Sequence, residues 1–314
     1  MRITGSFIAA WLMMTAAALV IYPCPARAGF LEPAAVSQNI PEPGRSGLIA
    51  ERSALLARGG ALESEIKKQN AQCGHVDLDN AAQVAFCGKW LGGLKAEYSG
   101  YLDAVRAFNK KEEFLMALNS KEKRWEPLNA PDTNDQSHRS AYNYFKVIRQ
   151  FKVQESERYA SGKATYCNIY VWDVTRAMGA EIPHWVIKGD PNGASAVGPD
   201  GKFIVAREEC VSGNRCREER ANDLVDWLRA HGKNNGWSRV DARMAQEMAD
   251  GGHPAIAIWR NAVSGAPGHV AMVRPGSVGD RRGDAISQAG GYVVDAKHIR
   301  NYFNKKGIQY WYHD

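Results

Sequence analysis

Two residues in this sequence have the types and spacing to carry nucleophilic chemistry together: Cys167, in Thr165-Tyr-Cys-Asn-Ile-Tyr170, and His269, in Gly268-His-Val-Ala-Met-Val273. Cysteine parity singles out the first. Removal of a leader containing Cys24 leaves five cysteines, Cys73, Cys87, Cys167, Cys210 and Cys216, and five cannot all pair. Cys210 and Cys216 flank the turn-forming Val-Ser-Gly-Asn-Arg, and Cys73 and Cys87 flank a connection between two helical segments. Both pairs read as disulfides of an oxidising compartment. Cys167 is then the odd thiol, either a buried core residue or a reactive one.

Local periodicity favours reactivity. The helical phase of Cys167 matches Tyr170, Val171, Val174 and Met178, which puts the sulfur on the packed face in the first turn of a helix running from about Thr165 to Gly179. Unpaired backbone N–H groups at such a helix start stabilise a thiolate and can hold the oxyanion formed when a carbonyl is attacked. A thiolate also needs a base that can later protonate a leaving amine, and imidazole suits both transfers near neutral pH. Among eight histidines, His269 heads a strand and shares a face with the small residues Ala271 and Val273. His184 and His298 are its competitors.

The elements that must position these groups follow from periodicity. Apolar spacing predicts one helix from Gly47 past Ile66 and a second from about Asn80 to Phe108, clasped by Cys73–Cys87. The segment Glu126 to Ser140, rich in Pro, Asn, Asp and Ser, reads as a boundary. Further helices are expected over Tyr142 to Glu157, Asp223 to His231 and Ser238 to Asp250. Strands are expected over Pro254 to Trp259, His269 to Val273, Ala285 to Ala289 and Gln309 to Tyr312. Helices first and an antiparallel sheet afterwards is an α+β arrangement. The organisation is thus a leader over 1–28, a helical hairpin region over 29–130 and the chemistry-bearing domain over 131–314.

A helix-start Cys followed about a hundred residues later by Gly-His-Val-Ala-Met-Val resembles the papain-like cysteine amidohydrolases of the NlpC and CHAP type. The likeness spans about Tyr142 to Asp314 and is strongest at the Cys helix, at Asn235-Gly-Trp237 and at Pro267-Gly-His-Val270. It implies a papain-like fold and cleavage of peptidoglycan amide bonds. Cys167 would attack a stem-peptide or muramoyl amide, His269 would shuttle the proton, and a polar residue on the next strand would orient the imidazole. Gln288 is the preferred third residue, with Asp295 the alternative, since Asp295 precedes Ala296 to Phe303 and reads as a helix N-cap. Tyr166-Cys-Asn-Ile169 departs from the Asp-Cys-Ser-Gly context of NlpC-type enzymes. Tyr159 resembles an upstream Tyr that assists the oxyanion in some members, and packing in the core is its plainer explanation. His184 and Trp185, beside Pro183 near the end of the Cys helix, are the expected cleft residues.

The remaining features bound the compartment and exclude other functions. Arg2, the apolar run from Phe7 to Tyr22 and Ala26-Arg-Ala28 read as a secretory signal peptide, so a periplasmic or secreted location is expected. No later stretch reaches the roughly 20 apolar residues of a membrane span. Formal charge is +6 and becomes +4 once Arg2 and Arg27 are removed, with no acids lost. That mild balance and the lack of basic runs leave a nucleic-acid partner without support. There is no His-Glu-x-x-His, no short C-x-x-C pair and no phosphate-binding glycine loop, so no metal or cofactor is expected; Gly193 to Gly201 reads as a turn. Peptidoglycan or its stem peptides are the expected partner, and no inhibitor can be named. Two alternatives remain: a protein-directed cysteine peptidase or acyltransferase with the same pair of residues, and a non-catalytic wall-binding module in which Cys167 is merely buried.

Overall fold

The computed structural model describes residues 31–314 except 43, 123, 163, 191–194, 197–205, 207, 208, 211, 212, 264, 277–284, 292 and 304–306. The segment 1–28 expected to be a leader, with Cys24, and most of the turn expected over Gly193 to Gly201 lie outside the described residues. The chain divides into two compact units, one of residues up to 35 plus 46–109, the other of 36–45 plus 110–314. The Pro- and Asn-rich segment 126–140 belongs to the second.

The first unit is built on most of helices α1 (Gly44–Cys73) and α2 (Ala81–Leu118), whose facing ends are joined by the Cys73–Cys87 disulfide. Asn80 starts α2, its Oδ1 accepting from the Gln83 N–H at 3.1 Å, which satisfies one of the orphan donors of a helix start. Leu62, Leu94, Tyr101 and Val105 form the seam between the helices. At Gly59 a Cβ would lie 2.8 Å from the Tyr101 hydroxyl, so the close approach of the two helices there requires glycine.

The second unit centres on a six-stranded antiparallel sheet in the order β3-β8-β4-β5-β6-β7: β3 (Trp237–Val240), β4 (Ala255–Trp259), β5 (His269–Val273), β6 (Ala285–Gln288), β7 (Val294–His298) and β8 (Ile308–His313). The smaller strands β1 (Trp185–Ile187) and β2 (Cys216–Glu218) pair separately. Helices α3 (Ala141–Gln150), α4 (Cys167–Ala177), α5 (Ala221–Trp227) and α6 (Ala242–Asp250) complete the unit. The architecture is α+β.

The central strands β4 and β5 are almost wholly buried, which is why they read as continuous apolar runs rather than alternating ones. Helix α4 packs on β5 and β6. Ser140 caps α3 by accepting from the Asn143 N–H at 3.1 Å. From α3, the buried Tyr144 hydroxyl donates to the Val273 carbonyl at 2.6 Å and lies 3.4 Å from the Ala255 N–H. This ties the helix to the two central strands.

Four expectations are corrected. Helix α3 ends at Gln150 rather than Glu157, because Lys152 takes a left-handed conformation at φ 44°. The helix expected over Ser238 to Asp250 is a strand followed by a helix, the break falling at Asp241, whose carboxylate caps Met244 at 2.8 Å. The helix expected over Asp223 to His231 is α5, which stops at Trp227 and continues as a π turn (Leu228–Gly232) and a 3-10 turn (Lys233–Asn235). Asp295 is no helix cap: it lies in β7, where backbone pairing with β6 wins. Only a 3-10 turn remains at Ile299–Asn301, capped by the His298 ring.

Tyr159 lies in the core of this unit. Arg158 and Asp173 form a fork-to-fork pair at 2.7 and 2.9 Å, both side chains fully buried, and the Tyr159 hydroxyl donates to Asp173 Oδ2 at 2.7 Å. Truncating one partner of such a pair strands an uncompensated buried charge. Asp173→Ala is therefore expected to lower unfolding free energy by about 3–5 kcal/mol, measured by denaturant titration.

Candidate active site

Helix α4 begins at the nucleophile candidate itself. Tyr166 occupies the N-cap position, and its side chain makes no capping hydrogen bond, so the first-turn N–H groups are not spent on a side-chain cap. Arg124 holds the approach to this helix. Its guanidinium lies 3.7 Å over the Tyr166 ring and donates to the carbonyls of Arg158, Glu157 and Ala160 at 2.6, 2.9 and 3.1 Å.

Cys167 is the one unpaired cysteine among the described residues and is 4 % exposed. Burial pushes its thiol up, but the hydrogen bond and charge of His269, with the backbone N–H groups of Val270 and Asn168, outweigh burial and hold it below the ordinary value of 9.0. Burial likewise opposes a charged His269. Its bonds to Cys167 and Gln288 win, and the imidazole is raised above 6.5. The two shifts run in opposite directions, and each favours the charged form of its group.

His269 opens β5 opposite Trp259 of β4. The nine-residue loop between them is pinned by Asn222 of α5, which donates to the Ala266 carbonyl at 2.9 Å and accepts from the Asn261 N–H at 3.0 Å. Gly268 is required there: a Cβ would fall on Asn222 Oδ1 and within 2.5 Å of the Trp259 carbonyl oxygen. On the other side, Met272 pairs with Ser287 and Val273 with Ile286. Continuing that register places Gly290 opposite His269, with Gln288 two residues along on the same face. Gln288 Oε1 lies 2.8 Å from His269 Nε2. With Nε2–H given to this acceptor, Nδ1 is the nitrogen left for the sulfur, a tautomer assigned from the hydrogen bonding. The Phe303 ring, its centroid 4.8 Å from that of the imidazole, covers His269.

Of the residues expected from sequence, Cys167, His269 and Gln288 are brought together. Asp295 is turned to Arg274, whose Nη1 donates to its carbonyl at 2.8 Å and reaches its carboxylate at 3.3 Å. Tyr159 is committed to Asp173. His184, 2 % exposed, sits between the Trp172 and Trp185 rings with centroids 4.1 and 5.6 Å away, its Nε2 3.6 Å from Glu218 Oε1. Trp185 pairs directly across from Glu218 in the β1–β2 ribbon. Both nominated disulfides are formed, Cys73–Cys87 and Cys210–Cys216.

Sequence reasoning missed Arg124, Gly290, Phe303 and Glu218. The carboxylate of Glu218 accepts from Asn168 Nδ2 at 2.6 Å, and that amide also donates to the Glu219 carbonyl at 2.8 Å, so β2 is docked on the first turn of α4. Among the described residues no group of three or more His, Cys, Asp or Glu is placed to hold a metal ion. None of their helices is long and apolar enough to cross a membrane.

The pair makes a measurable prediction for the thiol. The rate of Cys167 alkylation by iodoacetamide should rise with pH to a plateau whose midpoint lies below 9.0, because only the thiolate reacts. In His269→Ala the lowering partner is gone while burial remains, so the midpoint should move upward and the rate at pH 7 should fall. A midpoint unmoved by that substitution would show the two side chains to be uncoupled. Against known proteins, no family model and no curated protein matches this chain.

Proposed function

We propose that this chain is an exported cysteine hydrolase that cleaves amide bonds in peptidoglycan, acting as an amidase or endopeptidase on stem peptides. The observation that carries the reading is the chain of contacts from Cys167, at an uncapped helix start, through the His269 ring to Gln288. Support also comes from the likeness of the Cys helix and Gly-His strand to papain-like enzymes of the NlpC and CHAP type. The order of a helix-start Cys packed on antiparallel strands that bear the His and its partner is what such a fold requires. Two disulfides fit an oxidising compartment outside the cytoplasm.

In the proposed reaction, the Cys167 thiolate adds to the amide carbonyl and the first-turn N–H groups of α4 receive the oxyanion. The His269 imidazolium gives its proton to the departing amine as the C–N bond breaks, leaving a thioester on Cys167. Neutral His269 then takes a proton from water, whose oxygen attacks the thioester carbonyl and releases the acid and the Cys167 thiolate, restoring the starting thiolate and imidazolium. Gln288 acts by orientation, since a neutral amide does not stabilise imidazolium as a carboxylate does.

The test is mass spectrometry of purified sacculi incubated with the mature protein and with Cys167→Ala. Soluble muropeptides from the first alone are the expected result, and their masses name the bond cut. Release by neither protein, under reducing and non-reducing conditions, would contradict the wall substrate. Cleavage of proteins by the wild type in the same buffers would then favour a protein-directed peptidase or acyltransferase.

A further inference from the structure

A cavity of about 380 Å³ lies at the other end of β4 from His269, lined by Gln136, Arg139, Gly251, His253 and Asp314, and the proposed chemistry does not use it. Strand β4 starts at Ala255, two residues after His253, and ends at Trp259, the partner of His269. A strand rise of roughly 3.4 Å per residue puts about 14 Å of β4 between the two places. The walls of the cavity are fixed to each other. Buried Asn134 donates to the Gly252 carbonyl at 2.7 Å and accepts from the Ser140 N–H at 2.9 Å. Gln136 Nε2 donates to the Asp314 carbonyl at 3.0 Å. Gly252, at φ 92°, approaches Ser140 so closely that a Cβ would fall 2.5 Å from its carbonyl carbon.

Arg139 gives this cavity its chemistry. Its Nη1 donates to His253 Nδ1 at 3.2 Å. Its Nε and Nη2 are shielded from solvent and hydrogen-bond to nothing. Those two N–H groups form one planar edge of the guanidinium, the edge that fits both oxygens of a carboxylate. Burial works against the charge, and Asp314 and Asp135 offset it only in part, yet a guanidinium stays protonated in a protein. A charged fork without an acceptor is costly to the fold, and a bidentate acceptor recovers that cost. The Asp314 side chain, 85 % exposed with Oδ1 3.8 Å from His253 Nδ1, already brings one negative charge to the rim. Repulsion from it favours a monoanion over a dianion such as phosphate.

We infer that this cavity is a second binding site, which takes the free carboxylate at the C-terminus of a peptide and holds it side-on through Arg139 Nε and Nη2. A small turn of the Arg139 side chain presents that edge to the cavity. The volume is that of a small-ligand pocket, with room for the terminal residue of the peptide. Binding here needs no chemistry at Cys167, so the inference stands apart from the amide-hydrolase reading.

The experiment is an NMR titration of the ¹⁵N-labelled mature protein with N-acetylalanine, with its C-terminal methylamide and with inorganic phosphate, following the Arg139 Nε–H and Gly251 backbone resonances. The acid should move both saturably, and the methylamide should move neither. Arg139→Lys keeps the charge without the planar fork and should weaken binding, read at Gly251, by about tenfold or more, the scale of a hydrogen bond to a charged group. Arg139→Gln should abolish it. The inference is overturned if the methylamide shifts the resonances as the acid does, if the acid shifts neither, or if Arg139→Lys binds as tightly as wild type. Phosphate binding more tightly than the acid overturns the carboxylate assignment. Should either variant fail to fold, the comparison of acid with methylamide on the wild-type protein decides alone. None of these outcomes depends on whether the protein hydrolyses an amide.

Discussion

Cys167→Ala is expected to lower the rate of amide hydrolysis by roughly 10⁴-fold or more, the scale on which removing a nucleophile disables a coupled catalytic unit. The fold should survive. Cys167 is a small residue, and trimming its sulfur opens only a small void against α4's packing on β5 and β6, a destabilisation of about 1 kcal/mol. Loss of His269 should cost a similar factor, because in the proposed reaction the imidazole both lowers the thiol and protonates the leaving amine. Combining the two substitutions should add little to either alone, since members of one catalytic unit are not independent. Product formation followed by mass, alongside thermal unfolding of each variant, separates lost chemistry from lost structure.

Gly290→Ala is expected to reduce kcat/KM by about a hundredfold without unfolding the protein. A Cβ there would sit 2.9 Å from His269 Cε1, closer than carbon atoms tolerate, so the imidazole must swing away from Gln288 and Cys167. Displacement of a catalytic group by about 1 Å can cost that much. The clash is with a side chain rather than backbone, which confines the damage to the ring. Gly291 next to it has open space at the same point, so Gly291→Ala is the matched control and should retain activity. Comparing the pH dependence of alkylation in the two variants provides a second readout: the thiol midpoint should rise in Gly290→Ala and stay in place in Gly291→Ala.

These two sites also show what was readable from residues and what was not. Cysteine parity and the apolar phase of Cys167 single out the thiol, and the β4 and β5 runs are long and apolar enough to be recognised as strands. Gln288 follows from the expected strand next to His269. Gly290 becomes meaningful only once register is known, because the face it shares with His269 depends on which residues of β5 and β6 are paired. Strand β3 was hidden because Trp237 and Val240 also fit helical spacing into Ala245 and Ala249, and the Asp241 cap that separates them looks like any polar residue on a helix. Strand β7, Val-Asp-Ala-Lys-His, carries little apolar pattern because it lies at the sheet edge with three of its five residues partly or fully exposed and polar. Arg124 and Glu218 act across long stretches of sequence on Tyr166 and Asn168, a kind of contact that periodicity does not encode.

The Cys210–Cys216 disulfide gains a purpose from the same geometry. Cys216 begins β2, and two residues later Glu218 reaches the start of α4. The covalent bridge thus braces the short strand that docks on the Cys167 helix, where two three-residue strands alone would be weak support.

The central claim is that Cys167 forms a covalent acyl intermediate, and the most direct measurement is peptide mapping by mass spectrometry after acid quench during turnover of a stem peptide. The account predicts a thioester on the peptide containing Cys167, with the mass of the acyl half of the substrate, removed by neutral hydroxylamine. Steady product release by a folded Cys167→Ala, with no adduct on the wild-type cysteine at any quench time, would contradict it.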